Sequence, residues 1–163
     1  VALPPPRQLT FTVGAATEVE AAMRELATSG GWMNLHPLVD EGDLPPIQTG
    51  LLSLLSPKTP ALPVGTWVPG GSGRKGPEPD ELGVSHPRRR KMLVELAERG
   101  VTRPEGWVRK QDHATRGIVL ALPHGTDPTP VLAWLTAAMS VLSPVDLDGT
   151  FRASFHAGVQ RPH

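Results

Sequence analysis

The chain has 163 residues, no formal net charge and 39% apolar residues, which suits one domain with a buried core and is too apolar for general disorder. It has no cysteine, which excludes disulfides, thiolate zinc sites, iron–sulfur clusters and cysteine nucleophiles and is in keeping with a cytoplasmic setting. The neutral balance argues against a dedicated nucleic-acid binder, and the longest apolar runs, such as Val131 to Leu135, are far too short to cross a bilayer, so no membrane contact is expected.

The opening Val-Ala-Leu-Pro-Pro-Pro lacks the charged-then-apolar pattern of an export signal, and Leu3 to Arg7 reads as an extended or polyproline arm. Leu9, Phe11 and Val13 alternate with Thr10 and Thr12, the period of a half-buried strand. Thr17 and Glu20 have capping-box spacing. Val19, Ala22, Met23 and Leu26 then recur at helical spacing, and Gly30 stands at the C-terminal cap. Trp32 to Val39 reads as a strand, with Pro37 pointing to an edge or a bulge because proline cannot donate to a ladder.

The 19 prolines and 17 glycines concentrate between Gly42 and Gly83. Glu41-Gly42-Asp43 is expected to turn, Thr49 to Leu55 to form a helical turn or two, and residues 56–83 to be mostly loop. Gly70 to Pro77 is the most loop-like part. Ser85 can cap a helix running to Arg99, with Pro87 in its first turn. Trp107 to Gln111 and Ile118 to Leu122 flank a polar tip and read as a hairpin. Thr129 and Pro130 open a helix whose inner stripe is Leu132, Leu135, Met139 and Leu142 and which Pro144 stops. Phe151, Ala153, Phe155, Ala157 and Val159 then alternate with Arg152, Ser154 and His156 as a last strand.

The simplest assembly is an α+β, two-layer ferredoxin-like (βαββαβ) sandwich. It would be a single domain over 1–163, with the hairpin supplying the two middle strands. Segment 32–100 would be a long Pro/Gly-rich insertion containing an extra helix, most irregular at 56–83.

In that register the sheet face away from the helices carries Thr10, Thr12, Arg152, Ser154 and His156, joined by Asn34 and His36 if 32–39 enters the sheet. An arginine, two imidazoles and several hydroxyls suit a small anion. The run Arg88-Arg89-Arg90-Lys91 gives 86–116 a basic cast and is a candidate interaction surface, with nucleic acid as a further partner class. Against nucleic acid, no aromatic pair alternates on a middle strand. Trp67, set among prolines and glycines, either anchors its segment or is offered to a partner.

The six histidines show no metal-ligand spacing, and neither a nucleophile elbow nor a phosphate loop is present. No metal, cofactor or catalytic residue is therefore assigned. The expectation is a non-catalytic binding or protein-interaction module that pairs with a protein partner or with itself as a homodimer. The alternatives are a small-anion-binding protein or enzyme on the polar sheet face, and a weak nucleic-acid binder through 86–116.

Overall fold

The computed structural model describes residues 4–40 and 62–158. The expected turn at 41–43, the helical turns at 49–55 and Val159 lie outside them.

Seven strands form one sheet: β1 (Arg7–Thr12), β2 (Gly31–Pro37), β3 (Val64–Val68), β6 (Asp80–Ser85), β7 (Val108–His113), β8 (Gly117–Leu122) and β9 (Thr150–Ala157). Their order is β1-β9-β2-β3-β6-β8-β7, and every pairing is antiparallel. The two-residue strands β4 (Ser72–Gly73) and β5 (Gly76–Pro77) form a small separate hairpin. The helices are α1 (Thr17–Ser29), α2 (Leu93–Glu98) and α3 (Pro128–Leu142). Among the described residues no helix is long and apolar enough to cross a membrane.

This sheet overturns the ferredoxin-like expectation. The reason lies in the Pro/Gly-rich middle. Val64-Gly65-Thr66-Trp67-Val68 and Asp80 to Ser85 both alternate, with Gly65 and Trp67, and Asp80, Leu82 and Val84, on the buried side. The β-branched and aromatic alternation prevails over the surrounding turn residues. Segment 32–100 thus supplies interior strands. The hairpin of β7 and β8 lies at the far side of the sheet, with β7 at the edge rather than in the middle.

β2 is also interior, between β9 and β3. The Leu38 N–H donates to the Thr150 carbonyl at 2.9 Å, so even-numbered residues of β2 bond toward β9 and odd-numbered ones face β3. Pairing with β3 ends at Leu35. Pro37 therefore has no ladder partner to lose, and the proline is tolerated without an edge or a bulge.

One face of the sheet is dry. Phe11, Met33, Leu35, Trp67, Leu82, Val84, Ile118, Leu120, Phe151 and Ala153 join a single core with both long helices. Val19, Ala22, Met23 and Leu26 of α1 are buried, as are Leu132, Leu135, Met139 and Leu142 of α3, matching the apolar stripes read from spacing. A fully buried side chain of this size contributes about 1.5–3 kcal/mol. α1 turns directly into β2 because Gly30 and Gly31 take φ of 83° and 126°. A Cβ on Gly31 would run into the His156 carbonyl.

All three helix starts differ from expectation: α3 begins at Pro128, after Asp127, ahead of the expected opening at Thr129 and Pro130. Ala16, not a capping side chain, precedes α1, and no capping bond forms at Thr17. Glu20 instead accepts from the Thr129 hydroxyl at 3.0 Å, tying α1 to α3. The helix expected from 85 to 99 spans only Leu93–Glu98. Ser85 is still in β6, paired with Val64. The start of α2 is set from β7, where the Asp112 carboxylate accepts from the Met92 and Leu93 N–H groups at 2.9 and 3.2 Å.

Candidate functional site

Two surfaces come into question: the open face of the sheet and a groove at its β7 edge.

Alternation places Thr10, Thr12, Asn34, His36, Arg152, Ser154 and His156 on the face opposite the core residues of the same strands, but Ser154 is covered there, at 6% exposure. Register brings them side by side across β1, β9 and β2. Arg152 pairs with Thr10 on one side and His36 on the other, and Ser154 pairs with Asn34. Thr12 pairs with Thr150 at the end of β1.

The Trp32 and His156 rings stack with centroids 4.9 Å apart and planes at 3°. The Thr66 hydroxyl donates to Asn34 Oδ1 at 3.1 Å, which turns the Asn34 amide nitrogen toward His156 Nε2 at 3.4 Å. His156 is thereby held on two sides. Loss of solvent around its ring, and secondarily the Arg152 charge, pushes the His36 pKa below the usual imidazole value. Arg152 is exposed and has no ion-pair partner among the described residues.

The four consecutive cations do not form one surface. Arg88 turns inward, and its guanidinium donates to the Val141 and Ser143 carbonyls at the end of α3, each at 3.1 Å. Arg90 pairs with Glu95 at 2.9 Å. That pairing pulls the Glu95 pKa below the usual carboxylate range. Arg89 and Lys91 remain exposed. Trp67 lies in β3 with 1% exposure, so its ring is inside the core and not at the surface. His113 accepts from the Thr115 and Arg116 N–H groups in the turn before β8. Among the described residues no cluster of His, Asp and Glu could hold a metal ion.

The groove was not foreseen. It encloses about 900 Å³ between α2 and the start of β7, lined by Leu93, Val94, Ala97, Val108, Arg103 and Arg109 among others. Val94 is 73% exposed and Val108 60%, high values for two apolar side chains lining one trough. Val108 and Arg109 project to opposite sides of β7, so the trough wraps its free edge. The register shift between Arg109 and Gln111 breaks the regular edge in its far half, while Lys110 reaches back across β8 to Glu81 of β6 at 3.3 Å. The near half stays open. Among the described residues neither Arg103 nor Arg109 is in an ion pair.

Compared with known proteins, the chain matches no family model, no curated protein and no solved structure.

Proposed function

We propose that the protein is a non-catalytic interaction module that takes an extended peptide segment of another protein along the open half of β7. The observation carrying this reading is the pair of exposed valines, Val94 and Val108, in an apolar groove against an unpaired strand edge. A strand added there gains main-chain hydrogen bonds from the edge, and apolar side chains gain the groove. Arg103 and Arg109 line a groove whose acidic side chain is Glu98, so the fitting segment alternates apolar with acidic residues. We infer a cytoplasmic setting for the module, in keeping with its lack of cysteine.

The test uses a synthetic peptide of alternating Glu and Val and its Lys/Val counterpart. The acidic peptide is expected to slow hydrogen exchange at the Val108 and Arg109 amides, and the basic one to leave them unchanged. Val94→Asp should weaken binding at least tenfold. Equal binding of both peptides, or protection elsewhere only, would remove the reading. Self-association detected by sedimentation and abolished by Val94→Asp would identify a second copy as the occupant instead, the homodimer expected from sequence.

A second reading, small-anion binding on the sheet face, is favoured by one observation: Arg152 is unpaired among the described residues and flanked in register by Thr10 and His36. A phosphate titration followed at the Arg152 side-chain resonance tests it, and an unmoved resonance would end it. The nucleic-acid reading has less support, because Arg88 and Arg90 are engaged within the protein.

A further inference from the structure

The two edges of the sheet differ. β7 interrupts its own edge with a register shift and carries Arg109 and Lys110 there. β1, at the opposite edge, pairs with β9 in unbroken register from Arg7 to Thr12. It has no proline, no bulge and no lysine. Its one charge, Arg7, stands at the start of the strand and pairs with Glu25 at 3.5 Å. A regular, uncharged edge is a template for a further strand.

Hydrogen-bond parity fixes which groups β1 offers. The Val13 N–H donates to the Gly149 carbonyl at 3.0 Å, and that pair continues the register of β1 with β9. Odd-numbered residues of β1 therefore bond toward β9, while Gln8, Thr10 and Thr12 turn their N–H and C=O groups outward. Among the described residues no strand pairs with that outer side. The Thr12 carbonyl accepts from the Ala15 N–H at 2.9 Å, which leaves it a second lone pair. Upstream, the next outward residue is Pro6, which has no N–H to give. Downstream, the chain turns at Val13 and Gly14. The offered edge is thus short, bounded at both ends and centred on Thr10.

Those limits select the occupant. A second copy laid antiparallel about a two-fold axis at Thr10 sets Thr10 opposite Thr10 and Gln8 opposite Thr12, so every outward N–H and C=O is used. An axis at Leu9 would set Thr12 against Pro6, and one at Phe11 would set Gln8 against Gly14 in the turn. On the wet face the two Thr10 side chains meet, a favourable cross-strand pair. On the dry face Leu9, half-buried in the single chain, lies opposite Phe11 of the second copy, in the closer kind of pair that exchanges no hydrogen bonds. No like charges are opposed. Residues 8–12 carry none, and the two Arg152 side chains stand three strand spacings apart, about 14 Å, beyond a screening length of about 8 Å.

We propose that the protein forms a symmetric dimer in which β1 of each copy pairs with β1 of the other across Thr10, joining the two sheets into one. β7 lies at the far edge, so the dimer leaves the peptide groove open and does not rest on it.

The test is sedimentation of the full chain from about 1 μM to about 1 mM, with hydrogen exchange read at the Gln8, Thr10 and Thr12 amides. The mass is expected to rise from one copy to two, and exchange at Thr10 to slow over the same concentrations. Thr10→Lys sets two cations face to face at the axis and should raise the dissociation constant at least about tenfold. Thr10 is exposed, so the variant should keep a dispersed amide spectrum. Thr10→Pro removes the central N–H and should act likewise, because proline is tolerated where an edge N–H faces outward. If that variant does not fold, Thr10→Lys decides. Val94→Asp, at the other edge, should leave the dimer intact. A single copy at every concentration overturns the proposal, whether its Thr10 amide exchanges fast or is held slow by the chain itself. So does a dimer that survives Thr10→Lys or is lost in Val94→Asp.

Discussion

Four adjacent cations, Arg88 to Lys91, look alike in sequence and have four different surroundings. Arg88 places two charge-assisted hydrogen bonds on the carbonyls ending α3. Bonds of this kind contribute about 1.5–3 kcal/mol, so Arg88→Ala should cost about 2 kcal/mol in urea unfolding, and Lys91→Ala should stay within about 0.5 kcal/mol. Arg89 has φ of 57°, the left-handed region. Arg89→Gly should therefore gain up to about 1 kcal/mol. If all these variants unfold alike, the inward turn of Arg88 does not exist in solution. His86, two residues earlier, is 2% exposed, and its Nδ1 accepts from the Arg88 N–H. Burial pushes its pKa below 6.5, helped by Arg88 and Arg90 and opposed by Asp112. The unfolded chain then takes up a proton that the folded chain refuses. Stability is full above about pH 6.5 and falls as pH drops from there toward the folded value. The His36 shift has the same sign. His86→Asn keeps an acceptor without titrating and should flatten the slope between about pH 7 and 5. An unchanged slope would locate the dependence elsewhere.

Elements were legible where periodicity alone decides them. The inner stripes of α1 and α3 and the alternation of β9 follow from side-chain geometry, so Val19, Leu135 and Phe151 are buried as spacing requires. The polar companions of β9 follow by the same rule, which is why Arg152, Thr10 and His36 could be placed on one face from sequence. Element starts and neighbours were not legible, because distant partners set them. Thr17 and Glu20 have capping-box spacing, yet Glu20 is drawn to Thr129, more than a hundred residues away. α2 starts where Asp112 reaches it from β7. Asp112→Ala should thus cost about 1–2 kcal/mol, as loss of a cap does, while Thr17→Ala should cost less than about 0.5 kcal/mol. The reverse order in chemical denaturation would restore the local capping box. The β7 groove was missed for the same reason: an exposed Val108 matters only because β7 is an edge, and edge position depends on the whole strand order.

At the scale of the molecule, the order β1-β9-β2 makes the last strand the seam of the fold. β1 and β2 are consecutive strands joined by α1, yet they do not touch as partners. β9 lies between them, pairing with β1 from Arg7 to Thr12 and with β2 from Gly31 to Pro37. No local pairing can substitute, since both neighbours run in the same direction and leave a strand-wide gap. The sheet from β1 to β2 therefore closes only after the chain has returned from α3, a long-range contact that makes folding slow. Within β9 the two faces carry unequal weight. Phe151 has no exposure, stacks on Phe11 at 5.9 Å and sits in the core, whereas Arg152 faces solvent. Phe151→Ala should cost about 3–5 kcal/mol. Arg152→Ala should stay within about 0.5 kcal/mol. A chain ending at Asp148 should fail to fold at all, losing its dispersed amide spectrum, because β1 is left without any neighbour. A folded product from that truncation would mean that β1 and β2 pair without β9. Equal losses from Phe151→Ala and Arg152→Ala would mean that the strand is slipped by one residue, exchanging its dry and wet faces.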